Sequence, residues 1–221
     1  MNLFNYLRQF FDDPTYRHGY DDIAARLGQH CEYSLVALVI AAAIAFPPAV
    51  ATGHTGRGQG LVSAVAVLGR SLPSLGLLIL LAVHLGLNFA VAMIPLVVIG
   101  IPPVLLYTHE GIQGVDRAAV DAAKGMGMST SQVVLRVELP AALPLILAGL
   151  RVSAVQIVAT ASLAAVVSFG GFGRYIVDGL YQYDYAQVVG GAFLIAVLCL
   201  FTLFVFWLLG RVAVSPGLRR R

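Results

Sequence analysis

The chain has 221 residues, of which 59% are hydrophobic and only 11% charged, with a net charge of +3 from 14 basic and 11 acidic side chains. Its mean hydropathy is +0.85. An ordinary soluble domain carries roughly 25% charged residues, so a water-soluble fold of this size could neither bury that apolar surface nor cover itself. The same composition excludes a disordered chain. It also excludes a nucleic-acid-binding domain, because no dense basic stripe precedes the last few positions. The chain reads as an integral membrane protein.

The N-terminal stretch 1–32 is read as an external segment. Asp12, Asp13, Asp21 and Asp22 stand there among Arg8, Arg17 and Arg26, the wrong pattern for a cleaved leader. The first apolar segment is therefore expected to target the chain. Each span needs about 20 apolar helical residues. Runs free of Asp, Glu, Lys and Arg number 24 residues after Glu32, 39 after Arg70, 22 after Arg151 and 26 after Asp184. The run of 39 would reach roughly 58 Å as one helix, so a break is expected at His84-Leu85-Gly86-Leu87-Asn88. Five spans follow, about 33–52, 61–83, 89–107, 143–168 and 186–210. Pro73, just after Ser71 and Leu72, removes a backbone donor in the second span and admits a split or re-entrant helix there. Pro95, Pro102 and Pro103 mark similar irregularities in the third.

Orientation follows from Lys and Arg. Arg57, Arg117, Lys124, Arg136, Arg211, Arg219, Arg220 and Arg221 fall on one side, against Arg8, Arg17, Arg26 and Arg174 on the other, eight against four. The N-terminus is expected outside and the basic tail 211–221 in the cytoplasm. Trp207 near Arg211, and Tyr181, Tyr183 and Tyr185 near the opposite face, agree with aromatic belts. Arg70 and Arg151, costly at depth, are expected near the cytoplasmic end. Cys31 and Cys199 lie 168 positions apart and make no disulfide framework or metal spacing.

One segment, 108–142, is long and mixed-polar. Val115, Ala119, Ala122 and Met126 fall on one face of a helix, with Asp116, Arg117, Asp121 and Lys124 off that stripe. Gly125 and Gly127 end it. Ser129 and Gln132 read as a capping box opening a second helix that carries Val133, Val134 and Val137 and meets Pro140. By physics alone this hairpin is either a docking element or an interfacial tie between two spans.

Asp121-Ala122-Ala123, three residues, Gly127, nine residues, then Val137-Glu138-Leu139-Pro140 resembles the EAA loop of ABC importer permeases (E-A-A, three residues, G, nine residues, I-x-L-P). The spacing matches throughout, with Asp121 for Glu and Val137 for Ile as the departures. The resemblance spans about 33–210. It implies an all-α membrane fold, the type I importer permease fold, with a coupling helix that docks into a cleft of a cytoplasmic ATPase. Asp121, Ala122, Ala123, Gly127, Leu139 and Pro140 are the coupling residues it implies. Arg70–Leu75, Arg136–Pro144 and Ala148–Arg151 further resemble the osmoprotectant subgroup, which transports glycine betaine, carnitine and choline and shows T-I-P-S-L at the first of these. Gly170-Gly171-Phe172-Gly173 stands where that subgroup shows G-A-G-G-L-G. Other type I importers, methionine permeases among them, share parts of these motifs.

The chain has no Walker A sequence: the glycine-rich stretch 53–60 lacks the Gly-Lys-Ser/Thr ending. The resemblance implies that ATP and Mg are bound by a separate ATPase dimer. It implies two further partners, a second permease subunit (identical or paralogous) and an extracytoplasmic solute-binding protein. Membrane lipid surrounds the spans. Polar groups inside a membrane tend to face the bundle or a water-filled cavity, which makes Ser71, Ser74, Gln156 and Thr160 candidate pathway residues, with helix–helix hydrogen bonding as the alternative role. A secondary transporter using His84 or His109 as proton carriers is the competing function class; it calls for internal repeats and intramembrane carboxylates, and neither is evident in the sequence.

Overall fold

The structure, a computed structural model, describes residues 2–16 and 22–214, with Arg70 by its backbone alone. Arg17 and Arg219–Arg221, counted for orientation, lie outside the described residues. Every regular element described is helical.

Helix α1 (Leu3–Asp12) is amphipathic: Leu3, Leu7, Phe10 and Phe11 share one side, Arg8 and Asp12 the other. Phe10 is fully buried in an aromatic cluster with Tyr16, Phe172 and Tyr175, stacked on Tyr16 at 4.6 Å between centroids. The stretch 1–32 is thus partly packed onto the bundle. Asp22 caps α2 (Ile23–Thr55) by accepting from the Ala24 N–H. With 33 residues that helix runs about 50 Å and begins ten residues before the span expected at 33. Arg26, Gln29, His30 and Glu32 do not end it, because a helix outlasts the apolar core when its outer turns find polar partners. Ala37, Ala41, Ala45 and Ala49 form a buried ridge along α2. Their small size lets α5 approach closely.

Helices α3 (Gln59–Ser71) and α4 (Ser74–Leu85) meet at 79° across Leu72-Pro73, so the split foreseen at Pro73 is present. Four other helical stretches are long and apolar enough to cross a membrane, and the bent pair makes five if it crosses as one broken span. Gly86, with φ +80°, ends α4 where the break was expected. Asn88 then caps α5 (Phe89–Gln113) through the Val91 N–H at 3.0 Å. Pro95, Pro102 and Pro103 do not interrupt α5. A neighbouring helix accommodates one of them, since Gly69 leaves room for the Pro102 ring, and the Ser153 hydroxyl ties α8 to α5 by donating to the Gly100 carbonyl at 2.9 Å.

Helix α6 (Arg117–Gly125) is followed by α7 (Thr130–Val133), a π-helical stretch (Val134–Glu138) and α8 (Leu139–Thr160). These last three and the 3₁₀ segment after them form one 38-residue apolar run, Thr130–Val167. The helix that carries the fourth span thus starts at 130, ahead of the span expected from 143, and the second hairpin helix is its beginning. Pro140 sits inside this run instead of closing a helix. The π turn makes that feasible: the Leu139 N–H reaches back five residues to the Val134 carbonyl, shifting the ladder where the proline lacks a donor.

After a turn at Ser168 (φ +68°), α9 (Gly173–Gln182) and α10 (Tyr185–Ala213) complete the chain. Asp184 caps α10 through the Ala186 and Gln187 N–H groups. The Arg211 guanidinium lies 4.3 Å from the Trp207 ring centroid, a cation–π contact. The core lies between α2, α5 and α8, where Ala37, Leu96 and Ile157 are buried together.

Candidate coupling hairpin and polar groove

The hairpin is built by local hydrogen bonds that the sequence dictates. Asp116 opens α6 by accepting from the Ala118 N–H. At its end the Gly127 N–H donates to the Lys124 carbonyl at 2.9 Å and the Met128 N–H to Ala123 at 3.2 Å. That pair of bonds is a Schellman motif, and Gly127 supplies the left-handed residue with φ +84°. Ser129 and Gln132 form the expected capping box, the Ser129 N–H donating to Gln132 Oε1 at 2.8 Å and the Gln132 N–H to Ser129 Oγ at 3.4 Å.

The hairpin has its own small core of Val120, Ala123 and Val133, with Met128 and Val137 against it. Ala123 is therefore turned inward, 2% exposed, while Ala122 faces out. The stripe Ala119–Ala122–Met126 is left bare, with Met126 73% exposed. Asp121 is exposed beside it and pairs with no described residue. A Cβ built on Gly127 would meet nothing within 4 Å. Leu139 packs with Ile112, Ala142 and Ile146, and Pro140 is exposed.

A hydrogen bond ties this hairpin to α2: His54 Nδ1 lies 2.8 Å from Glu138 Oε2, the two side chains 19% and 6% exposed. No local pattern signals this contact, since the partners sit on segments whose adjacency only the fold creates. His109 is buried, its Nδ1 2.9 Å from Thr52 Oγ1.

The candidate pathway residues divide. Ser71 lines a cavity of about 520 Å3 between α3 and α5, together with Ser63 and Glu110. Gln156 lines a second of about 130 Å3 with Tyr107 and Val152. The two share Ala66 and Leu106 and so form one groove. Gln156 Oε1 is buried there without a hydrogen-bond partner among the described residues. Ser74 opens α4 beyond the break, and Thr160 ends α8 one turn past Gln156. Glu110, Ser63 and Tyr107 are groove residues absent from the candidates read from the sequence; Glu110 closes the 39-residue charge-free run after Arg70, and α5 continues past it to Gln113. Arg151, expected near the cytoplasmic end, lies midway along α8 and is exposed. The side chain of Arg70 lies outside the described residues.

At the opposite end of the bundle the loop 168–172 hangs on α2. Gln29 Oε1 accepts from the Gly171 N–H at 2.9 Å. The Phe172 N–H donates to His30 Nδ1 at 3.2 Å, which leaves His30 Nε2 to donate to the Val158 carbonyl at 2.8 Å.

Residues 33–220 match the family model described as the binding-protein-dependent transport system inner membrane component. The chain is 31% identical over 198 residues to the glycine betaine/carnitine/choline transport system permease protein OpuCB of Bacillus subtilis, covering 90% of this chain and 91% of that one. It is 33% identical over 172 residues to the carnitine transport permease protein OpuCB of Listeria monocytogenes, covering 78% and 79%. Its fold is similar to that of a chain of the MetNI methionine ABC transporter in an inward-facing conformation, with a TM-score of 0.74 at 22% identity over 87% of this chain and 96% of that one. A chain of an amino acid ABC transporter gives 0.69 at 20% identity, covering 86% and 92%. The family model matched over residues 33–220 and relatives more than 30% identical over most of both chains show that the chain belongs to the inner-membrane permeases of binding-protein-dependent ABC importers.

Proposed function

We propose that this permease serves an osmoprotectant importer and moves glycine betaine, choline or carnitine across the plasma membrane. The substrates named for its relatives in Bacillus and Listeria support this. A solute-binding protein delivers the solute from outside, and two permease subunits enclose the path. An ATPase dimer, which binds ATP and Mg, docks in the cytoplasm on α6. The bare stripe of Ala119, Ala122 and Met126 carries that assignment: it is an apolar face that the hairpin's own core leaves unused. Asp121 stands beside it to meet a donor on the partner. Ser71 and Gln156 line the solute path, with Ser74 and Thr160 at its margins. The N-terminus lies outside and the C-terminal tail in the cytoplasm, following the eight-to-four excess of Lys and Arg.

The test is uptake of labelled glycine betaine, choline, carnitine and methionine by cells expressing the complete transporter. Saturable uptake of at least one of the first three, lost on deletion of the ATPase gene, is the expected result. Selective methionine uptake overturns the osmoprotectant reading.

A further inference from the structure

The groove along α3, α5 and α8 is rich in acceptors. Its larger cavity carries the Ser63 and Ser71 hydroxyls and the Glu110 carboxylate on apolar walls. The smaller one adds the Tyr107 ring and the stranded Gln156 Oε1. The Ser71 hydroxyl already donates to the Val67 carbonyl at 2.9 Å, so it presents its lone pairs to the cavity. Glu110 makes no side-chain hydrogen bond or ion pair with a described residue. It also sits in the last turn of α5, where the helix dipole already concentrates negative potential. Glu110 is exposed, so water stabilises its charge, and the carboxylate stands open to a cation that enters the groove.

The geometry points to Glu110 as the group that makes this groove selective for cations: the solute class it favours is a small organic cation, held by the carboxylate and flanked by the hydroxyls. This rests on reading the groove as the solute path. A trimethylammonium group suits the lining, because it needs no donors from the protein and tolerates apolar walls beside a single negative charge. A zwitterion gains from Glu110 at one end and loses at the other, so its passage depends on Glu110 far less. An anion is repelled. Two cationic residues lie nearby in the chain. Arg70 precedes Ser71, and Arg151 stands one position round α8 from Val152; both favour an anion, so a cation preference in the parent requires that Glu110 outweigh them.

The test uses the full transporter in membranes at low salt, with Cys31→Ser and Cys199→Ser as background and Ser63→Cys as reporter. The probes are the trimethylammonium-ethyl and sulfonate-ethyl methanethiosulfonates, each rate divided by its rate with free 2-mercaptoethanol. The expected result is a corrected cation-to-anion ratio of roughly ten or more, retained in Glu110→Asp, reduced several-fold in Glu110→Gln, and compressed by salt in the parent. A ratio near one, or one that Glu110→Gln leaves unmoved, overturns the proposal. In parallel, the choline-to-betaine uptake ratio should fall about tenfold in Glu110→Gln and recover in Glu110→Asp; equal losses for both solutes overturn Glu110 as a selecting group. If the parent transports neither solute, the osmoprotectant reading falls, while the thiol ratio still decides whether Glu110 sets the charge preference of the groove.

Discussion

His54, in the last turn of α2, and Glu138, at the end of the π turn that leads into α8, meet at 2.8 Å although 84 residues separate them in sequence. Glu138 lies between the Val137 and Leu139-Pro140 positions of the coupling motif. The pair therefore fastens the root of the hairpin to the first long helix, at a place where a carboxylate alone would be buried without compensation. Replacing either member should be harmful for that reason. His54→Ala should cost about 3 kcal/mol, since it strands the buried carboxylate, and Glu138→Ala less, because the His54 it leaves behind is the more exposed partner. The double variant should recover part of the loss. Thermal unfolding of the purified transporter in detergent, read as a double-mutant cycle, measures this coupling.

Gly127 is constrained by backbone conformation and not by space within the chain. Its φ of +84° disfavours any side chain, and yet a Cβ there meets nothing within 4 Å. Gly127→Ala should therefore cost only about 1 kcal/mol. Gly127→Glu should insert and fold but abolish uptake, because its side chain projects from the hairpin into the proposed ATPase interface. Solute-stimulated ATPase activity should fall with it. Normal uptake by Gly127→Glu at parental expression would remove the docking role from this hairpin.

Phe10 is the anchor of α1. Its ring fills the space left by Gly190 on α10, where an added Cβ would fall inside it. Phe10→Ala should cost about 3–5 kcal/mol of local packing and detach α1. Gly190→Val should do the same from the other side. Limited proteolysis should then cleave the N-terminal segment faster in both variants, while the spans remain protected. Equal cleavage rates would show that α1 stays docked without this contact.

Orientation is open to direct measurement. A periplasmic-active reporter fused at the N-terminus and a cytoplasmic-active one fused after Arg221 should both give signal. Cytoplasmic signal from both ends would require an even number of crossings and would turn the α3–α4 pair from a broken span into a re-entrant one.

Much of this was legible in the sequence because it rests on local chemistry. The Ser129–Gln132 capping box, the glycine stop at 127, the turn at Gly86–Asn88 and the break at Pro73 each depend on residues within a few positions of one another. Composition was enough to identify a membrane protein. The long-range features were not legible. Charge-free runs set the span at 33–52, but helix ends follow capping partners, so α2 starts after Asp22. Pro140 looked like a terminator because a π turn leaves no composition signal. Ala123 and Ala122 read alike, and only the hairpin core separates the inward one from the outward one. Glu110 was passed over because a carboxylate at the edge of a charge-free run ordinarily belongs to solvent.

The fastening of the 168–172 loop has a mechanical consequence. Gln29 and His30 bind Gly171, Phe172 and Val158 by three hydrogen bonds, and both His30 ring nitrogens are committed within the chain. That end of the bundle is cinched, whereas the joints of the chain (the α3–α4 elbow and the π turn before α8) leave the rest freer to bend. One protomer is then built as a lever with a fixed grip and a jointed far end. Spin labels placed across the grip, on α2 and α9, should keep a constant separation throughout the transport cycle. Labels between α4 and α6 should not, and the widening of their distance distribution on nucleotide binding would measure how far the lever swings.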